Sequence, residues 1–223
     1  MPPALVRELR STFQLVELRS DYGMSEVGGP LTFPPPGDVS GLDAGFPVLG
    51  TRMKIIDPVS GNVLGPMERG EVLFDTPYRT SGYIGNPEAT AAFIDDEGWI
   101  HTGRISNAWS IRPPADIGYY NNDGRLFLCG RLNVVINCFG RRVYPAEVEW
   151  HLLDHPAVEQ VSVLGVSSPE FGEAPAAIVV LTHGYSPDEL LAEELKAFVA
   201  GKHELTMLLN FGSNIFGQKG PSS

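Results

Sequence analysis

The sequence predicts a mixed α/β fold, with a β-rich first part followed by a small domain in which helices and strands alternate. Three observations predict it. From Gly37 to Gly70 glycine and proline cut the chain into short extended pieces, the punctuation of a sheet. Beyond Pro145, stretches of helical and of strand period follow one another. The 223 residues are 43% hydrophobic and 19% charged, which suits a globular chain with a real core and, at roughly 150 residues per domain, one or two domains.

Leu5 and Leu9 stand four apart with charges between them, which is a helical period, and the alternation of Leu15-Val16-Glu17-Leu18-Arg19 predicts a strand and then a turn. Residues 53–57 and 71–74 read as strands joined through Asp57-Pro58-Val59-Ser60-Gly61. Two more strands are expected at 125–129 and 133–137, separated by Gly130-Arg131-Leu132, where a domain hinge is placed. Pro145 suits a first helical turn, where its missing N–H costs nothing, and Glu147 and Glu149 suit the positive end of a helix reaching Leu153. Strands at 158–166 and 176–181 follow. Ser186-Pro187-Asp188-Glu189 has the form of a capping box, in which hydroxyl and carboxylate each satisfy an orphan N–H, and predicts a helix over 187–199. After Gly201 the pattern dissolves, so 201–223 is expected to be a divergent, poorly ordered tail. No internal repeat is visible.

Composition narrows the function. Lys and Arg number 16 against 27 Asp and Glu, giving a formal charge of −11, and no basic cluster interrupts it. That disfavours nonspecific binding to nucleic acid or to an anionic membrane, without forbidding an anionic nucleotide held by a few local groups. Cys129 and Cys138 are too few for a disulfide scaffold and lack the neighbours of a zinc site, so they read as reduced thiols. No apolar run approaches the roughly 20 residues that span a bilayer, and the start Met1-Pro2-Pro3-Ala4-Leu5-Val6-Arg7-Glu8 has no targeting signal. A soluble location in cytosol or organelle lumen is expected.

The motifs point to nucleotide chemistry. Tyr22-Gly23-Met24-Ser25-Glu26, just before Gly28-Gly29-Pro30, presents an aromatic face, a hydroxyl and a carboxylate on a Gly-rich turn, which suits a purine, its phosphate and magnesium. The plainer reading is that Tyr22 packs the core and Ser25 and Glu26 start a turn. Further motifs follow in one order: Gly70-Glu71-Val72-Leu73-Phe74, Ser81-Gly82-Tyr83-Ile84-Gly85-Asn86-Pro87-Glu88-Ala89-Thr90, Asp95-Asp96-Glu97-Gly98-Trp99-Ile100-His101-Thr102-Gly103, Asp116-Ile117-Gly118-Tyr119-Tyr120, Gly130-Arg131 and Gly140-Arg141-Arg142-Val143-Tyr144-Pro145-Ala146-Glu147-Val148-Glu149.

That ordered set resembles the adenylate-forming (AMP-binding) superfamily of acyl-CoA and aryl-CoA ligases, nearest its 4-coumarate–CoA ligase and luciferase-like branch. The resemblance implies the β-rich end of a large N-terminal domain over 1–130 and a small, rotating C-terminal domain over 131–200. It implies ATP, magnesium and CoA as cofactors, a small-molecule carboxylate as substrate, and a cytoplasmic or peroxisomal parent enzyme. Carried over by residue, Tyr22 would stack on adenine with Gly23 beside it, Ser25 would take the place of a Thr near the phosphate, and Glu26 would help hold magnesium. Asp116 would bind the ribose hydroxyls, Arg131 would lie at the hinge and reach the ribose, and Gly140 would border the passage for the CoA arm. Singly, Asp116 capping a turn, Arg131 in a surface ion pair and Gly140 permitting a hairpin are equally good readings.

The departures from the pattern shape what is expected of the chain itself. The family's Gly/Ser/Thr/Lys-rich phosphate loop lies well upstream of the tyrosine motif, and only 21 residues precede Tyr22 here. Lys219 lacks the Pro-x-x-x-x-Gly-Lys context of the family's terminal lysine, and Asn133 and Asn137 stand where the related enzymes usually carry Lys. Arg104 to Ala115 intervenes between Gly103 and Asp116, which family members join directly; this insert, with Trp109, is expected to loop out. Two functions therefore compete: a fragment of an ATP-dependent acid–thiol ligase, inactive as it stands, or a noncatalytic truncated relative with a nucleotide-binding, CoA-binding or regulatory role. In either case the first 130 residues are expected to leave apolar faces such as Val72 and Phe74 uncovered.

Overall fold

The computed structural model describes residues 3–38, 43–103, 115–138, 140–168, 172–200 and 214–218. Its contacts separate a larger unit, Leu5–Asn133, from a smaller one, Val134–Ser223. The architecture is mixed α/β, with three sheets and four helices among the described residues.

The chain opens with helix α1 (Pro3–Phe13), which belongs to the larger unit from Leu5 onward. The alternation at 15–19 forms no strand: Val16 is exposed, and Leu18 only donates its N–H to the Asp38 carbonyl. Strand structure needs a partner edge, and here it begins at β1 (Tyr22–Met24), which pairs antiparallel with β2 (Gly29–Phe33), itself paired with β3 (Phe46–Pro47). The second sheet has the order β4 (Arg52–Ile56), β5 (Gly70–Asp75), β7 (Asp116–Tyr120), β8 (Leu126–Arg131), with β6 (Ile100–His101) also on β5. Strand β5 is buried almost end to end, as expected of a continuous apolar run at the middle of a sheet. Asp57 turns the β4 end by accepting from the N–H groups of Val59 and Ser60, both at 2.8 Å. Helix α2 (Pro87–Phe93) starts where Asn86 Oδ1 accepts the Ala89 N–H at 2.9 Å. Val72 and Phe74 are fully buried, with Leu31, Ile55, Phe93, Ile100 and Leu126 in one core, so the expectation of uncovered apolar faces is overturned at these residues. That core is supplied by β2, α2 and the strands β4, β5, β6 and β8.

In the smaller unit β9 (Ile136–Cys138) and β10 (Arg141–Val143) form a hairpin, preceded by a 3-10 turn at Leu132–Val134 where a strand was expected to begin. Helix α3 (Pro145–Leu153) starts at Pro145 as expected. Glu149 does not serve the helix end: its Oε1 accepts the Val163 N–H of β11 (Val158–Ser168) at 2.8 Å. Strand β11 pairs with β12 (Gly172–Leu181) along nearly its whole length. Helix α4 (Glu189–Ala200) is capped by Asp188, whose Oδ1 accepts the Leu191 N–H at 2.7 Å, not by Ser186; the carboxylate three residues before an unpaired donor is the better placed acceptor. Most of 201–223 lies outside the described residues, but Asn214–Gln218 forms β13, parallel to β12, so that part of the expected tail is strand. Ile136, Val148, Leu152, Val179, Leu195 and Val199 make an aliphatic core.

Candidate functional site

The site is built where β1, β7 and β8 present their ends. Tyr22 begins β1, and its phenol donates to Asp116 Oδ2 at 2.6 Å across 94 residues of sequence. Asp116 begins β7, and its N–H donates to Thr102 Oγ1 at 3.1 Å, while that hydroxyl donates to the Val72 carbonyl at 3.1 Å. Antiparallel register sets Arg131 opposite Asp116, with Nε 3.4 Å from Oδ1. One carboxylate thus has a phenol on one oxygen and a guanidinium facing the other. The Arg131 side chain is 67% exposed, so it is held on this side while the rest remains open to solvent.

Burial raises the Asp116 carboxyl above its ordinary value; the Tyr22 hydrogen bond and the Arg131 charge oppose that rise. The Tyr22 phenol is pushed well above the ordinary tyrosine value, first by burial and then by Asp116, so it remains a donor. Its ring stacks on Phe74 with centroids 5.8 Å apart, which satisfies the plainer reading of Tyr22 as a core residue as well. Gly23 has a packing reason, since a side chain there would meet the Gly29 carbonyl oxygen at 2.4 Å and force β1 off β2.

Glu26 lies in the 3-10 turn Ser25–Val27. Its Oε1 accepts the Tyr83 phenol at 2.8 Å, and its carbonyl accepts the Thr80 N–H at 2.8 Å. Burial and Glu26 push the Tyr83 phenol up to about 12. The exposed Ser25 hydroxyl is its neighbour in sequence. A half-buried carboxylate beside a hydroxyl is an all-oxygen donor set, which fits a hard cation such as magnesium.

Residues 104–114 of the insert lie outside the described residues, Trp109 among them. Ala115 does not loop out: it is buried and its carbonyl accepts the Leu132 N–H at 2.7 Å, extending the β7–β8 pairing by one step. The Asp116 to Thr102 bond keeps the carboxylate beside Thr102 despite the residues between. Gly140 belongs to the smaller unit, in the β9–β10 turn, with φ at +73° and nothing within 4 Å of where a Cβ would stand. Its left-handed backbone by itself accounts for glycine there. Asn137 donates its backbone N–H to Glu173 Oε2 at 2.7 Å, and Asn133 sits in the 3-10 turn.

Sequence reasoning gave no role to Thr80, Tyr83 or Thr102, nor to the buried pair of Glu71 and His101, 2.8 Å apart, with Asp95 at 3.4 Å from the other ring nitrogen. For all but Thr80, which precedes the Ser81 motif, the available signal was their place inside the ordered motifs; what each one touches is a long-range fact.

Comparison with known proteins now bears on this constellation. Residues 1–84 match the family model described as AMP-binding enzyme, and residues 147–211 match the AMP-binding enzyme C-terminal domain. The chain belongs to the adenylate-forming superfamily. Among its curated relatives are the luciferin 4-monooxygenase of Nipponoluciola cruciata, 38% identical over 190 residues, covering 85% of this chain and 32% of that protein, and 4-coumarate–CoA ligase 1 of Petroselinum crispum, 34% identical over 197 residues, covering 86% and 34%. The chain thus spans about one third of the length of these adenylate-forming relatives. Among solved structures it resembles an amide bond synthetase from Marinactinospora thermotolerans, with TM-score 0.79 and 30% identity over 97% of this chain and 41% of that one. It also resembles the o-succinylbenzoate CoA synthetase of Bacillus subtilis in complex with its acyl-adenylate intermediate, with TM-score 0.75 and 28% identity over 97% and 40%. No helix among the described residues is long and apolar enough to cross a membrane.

Proposed function

We propose that this chain carries the nucleotide-holding corner and the small C-terminal domain of an ATP-dependent acid–thiol ligase that works through an acyl adenylate. The observation that carries the reading is the Tyr22–Asp116–Arg131 arrangement, in which residues from three strands converge on one carboxylate. A carboxylate met by a phenol on one oxygen and a guanidinium on the other can, in its ionised form, accept from a vicinal pair of hydroxyls, making charge-assisted bonds to a ribose. Arg131, half free of its partner, is placed to reach the same sugar. Tyr22, wedged on Phe74, offers an aromatic edge for a purine, and Glu26 with Ser25 would hold magnesium. Bound there, ATP with its metal would supply the α-phosphorus that a carboxylate substrate attacks, the bond to the β-phosphate breaking and pyrophosphate leaving. The residues' own part is to orient the nucleoside and to hold charge near its phosphates. Gly140 is proposed to border the CoA passage on the strength of the family resemblance.

The test is calorimetric titration of the 223-residue chain with AMP, ATP and magnesium, beside Asp116→Ala. Saturable AMP binding that the substitution weakens is expected; equal binding by both, or by neither, overturns the reading. Loss of a single preorganised donor to a transferring phosphate can cost ~10²–10³ in rate. Since the 223 residues contain neither the Gly/Ser/Thr/Lys-rich loop nor the Pro-x-x-x-x-Gly-Lys segment, this polypeptide by itself is expected to show no carboxylate-dependent ATP–pyrophosphate exchange with fatty and aromatic acids. Exchange would remove the noncatalytic reading.

A further inference from the structure

The motif from Ser81 to Thr90, with Thr80 just before it, is one to which the proposed function assigns nothing, yet its interactions converge on one phenol. Thr80 ties the loop to the Glu26 turn through the 2.8 Å bond from its N–H to the Glu26 carbonyl. The Tyr83 N–H donates to Thr90 Oγ1 at 2.9 Å, and the Thr90 hydroxyl donates onward to the Asn86 carbonyl at 3.0 Å. Asn86 Oδ1 meanwhile caps α2 through Ala89. A side chain at position 82 would run into Thr90 at 2.6 Å, so Gly82 lets the loop lie down on the helix. The Tyr83 ring packs edge-on against the fully buried Phe93, with centroids 5.6 Å apart. Gly82, Tyr83, Asn86 and Thr90 are thereby all used, and the product of their placement is a hydroxyl aimed at Glu26 Oε1 from 2.8 Å, 57 residues away in sequence.

We infer that Tyr83 is a positioning residue for Glu26: its phenol occupies Oε1, fixes the plane of the carboxylate and so presents the second oxygen to a divalent cation. The inference rests on the reading of Glu26 as a metal-holding residue. A carboxylate free to rotate must give up that freedom when it binds a cation, whereas one already hydrogen-bonded on a single oxygen has given it up in folding. The phenol is neutral, so it orients the carboxylate without cancelling the charge that attracts the metal. Outer-shell partners of this kind typically contribute 10–100-fold to metal affinity.

Manganese serves as the probe, with free Mn2+ counted by its electron paramagnetic resonance in the presence of AMP, using the 223-residue chain and the variants Tyr83→Phe, Glu26→Gln and the two combined. Tyr83→Phe keeps the ring against Phe93, and its thermal melt checks that the fold is kept. The Mn2+ dissociation constant is expected to rise about 10–100-fold in Tyr83→Phe. It should rise at least as far in Glu26→Gln and no further in the double variant, while the AMP affinity of Tyr83→Phe without metal stays unchanged. Additive losses in the double variant would show Tyr83 acting other than through Glu26 and overturn the inference. Unchanged Mn2+ binding in Tyr83→Phe beside a loss in Glu26→Gln would overturn the role of Tyr83 and leave the Glu26 reading standing. Unchanged binding in Glu26→Gln, or no Mn2+ binding by the unaltered chain, would remove the Glu26 reading and this inference with it.

Discussion

In the larger unit polar side chains sit inside: Glu71 and His101 are each about 5% exposed, and buried Asp43 meets Arg125 Nη1 at 2.9 Å. In the smaller unit the interior is mostly aliphatic, with His155 as the one buried residue of the Asp, Glu, His, Lys and Arg types among its described residues. Sequence separation differs in the same sense. The polar bonds of the larger unit join residues 30, 57, 82 and 94 apart, whereas the smaller unit is dominated by one long β11–β12 hairpin with α3 packed on β11. A unit that gathers charges from distant strands can hold a polar ligand, at the cost of burying groups that must all be paired. A unit that folds on neighbours in sequence is sturdy and has less with which to grip a nucleotide.

Truncating one core residue in each unit gives the largest expected effects. Phe74→Ala should cost about 3–5 kcal/mol and also remove the wall behind Tyr22, and Leu195→Ala about 2–5 kcal/mol. Chemical denaturation followed by tyrosine and tryptophan fluorescence should show each substitution shifting the unfolding of its own unit. If both transitions move together in each variant, the units unfold as one and the contrast fails. Glu71→Ala, which leaves a buried ring nitrogen of His101 without its hydrogen-bond partner, should cost about 1–3 kcal/mol, the penalty of an unsatisfied buried polar group. A cost under about 1 kcal/mol in equilibrium unfolding would mean that the interior of the larger unit tolerates polar groups far better than its packing implies.

Asp116→Asn should weaken AMP binding about 10–100-fold, the range of ~1.5–3 kcal/mol for a hydrogen bond to a charged group. The unaltered chain should lose AMP affinity as pH falls through the raised carboxyl value of Asp116, because the neutral acid is the poorer acceptor. Stability runs the opposite way for this group. The folded state holds the Asp116 proton more tightly than the unfolded chain does, so its contribution is fully present below the ordinary carboxylate value and is lost as pH rises through the raised one. Titrating AMP binding and melting temperature between acid and neutral pH, with Asp116→Asn as reference, checks both slopes. The smallest effect belongs to the smaller unit, where Asp188→Ala should cost about 1 kcal/mol by uncapping α4 while Ser186→Ala costs a few tenths at most. A larger loss from Ser186→Ala in thermal melts would restore the cap that the sequence suggested.

How much was legible divides along the same line. The Pro145 helix and the strands around Ile55 and Val72 announce themselves through local period and turn chemistry, and the structure has them at those places. Ser186 misled because two acceptors two residues apart compete for the same N–H groups, and only the backbone decides that Asp188 reaches Leu191. Leu15 to Arg19 alternates without a partner edge, and β13 pairs through an apolar Ile215-Phe216 step too short to stand out in a polar end. At the site, motif order brought Tyr22 and Asp116 under suspicion, but nothing local says that one donates to the other. Tyr83 and Thr102 went unassigned for the same reason: their partners are strands away.

The 94-residue span between Tyr22 and Asp116 also sets a schedule. At synthesis rates of about 5–20 residues per second, Tyr22 is made roughly 5–20 seconds before its acceptor, and Arg131 comes later still. Throughout that interval the nascent chain has the Tyr22 ring but no partner for its phenol, and the β5 core lacks the strands that close it. The Tyr22–Asp116–Arg131 corner is therefore among the last features of the larger unit to assemble on the ribosome, and, if it holds a nucleotide as proposed, a pulse of labelled AMP captured by ribosome-bound chains of increasing length would date its completion to the emergence of β8.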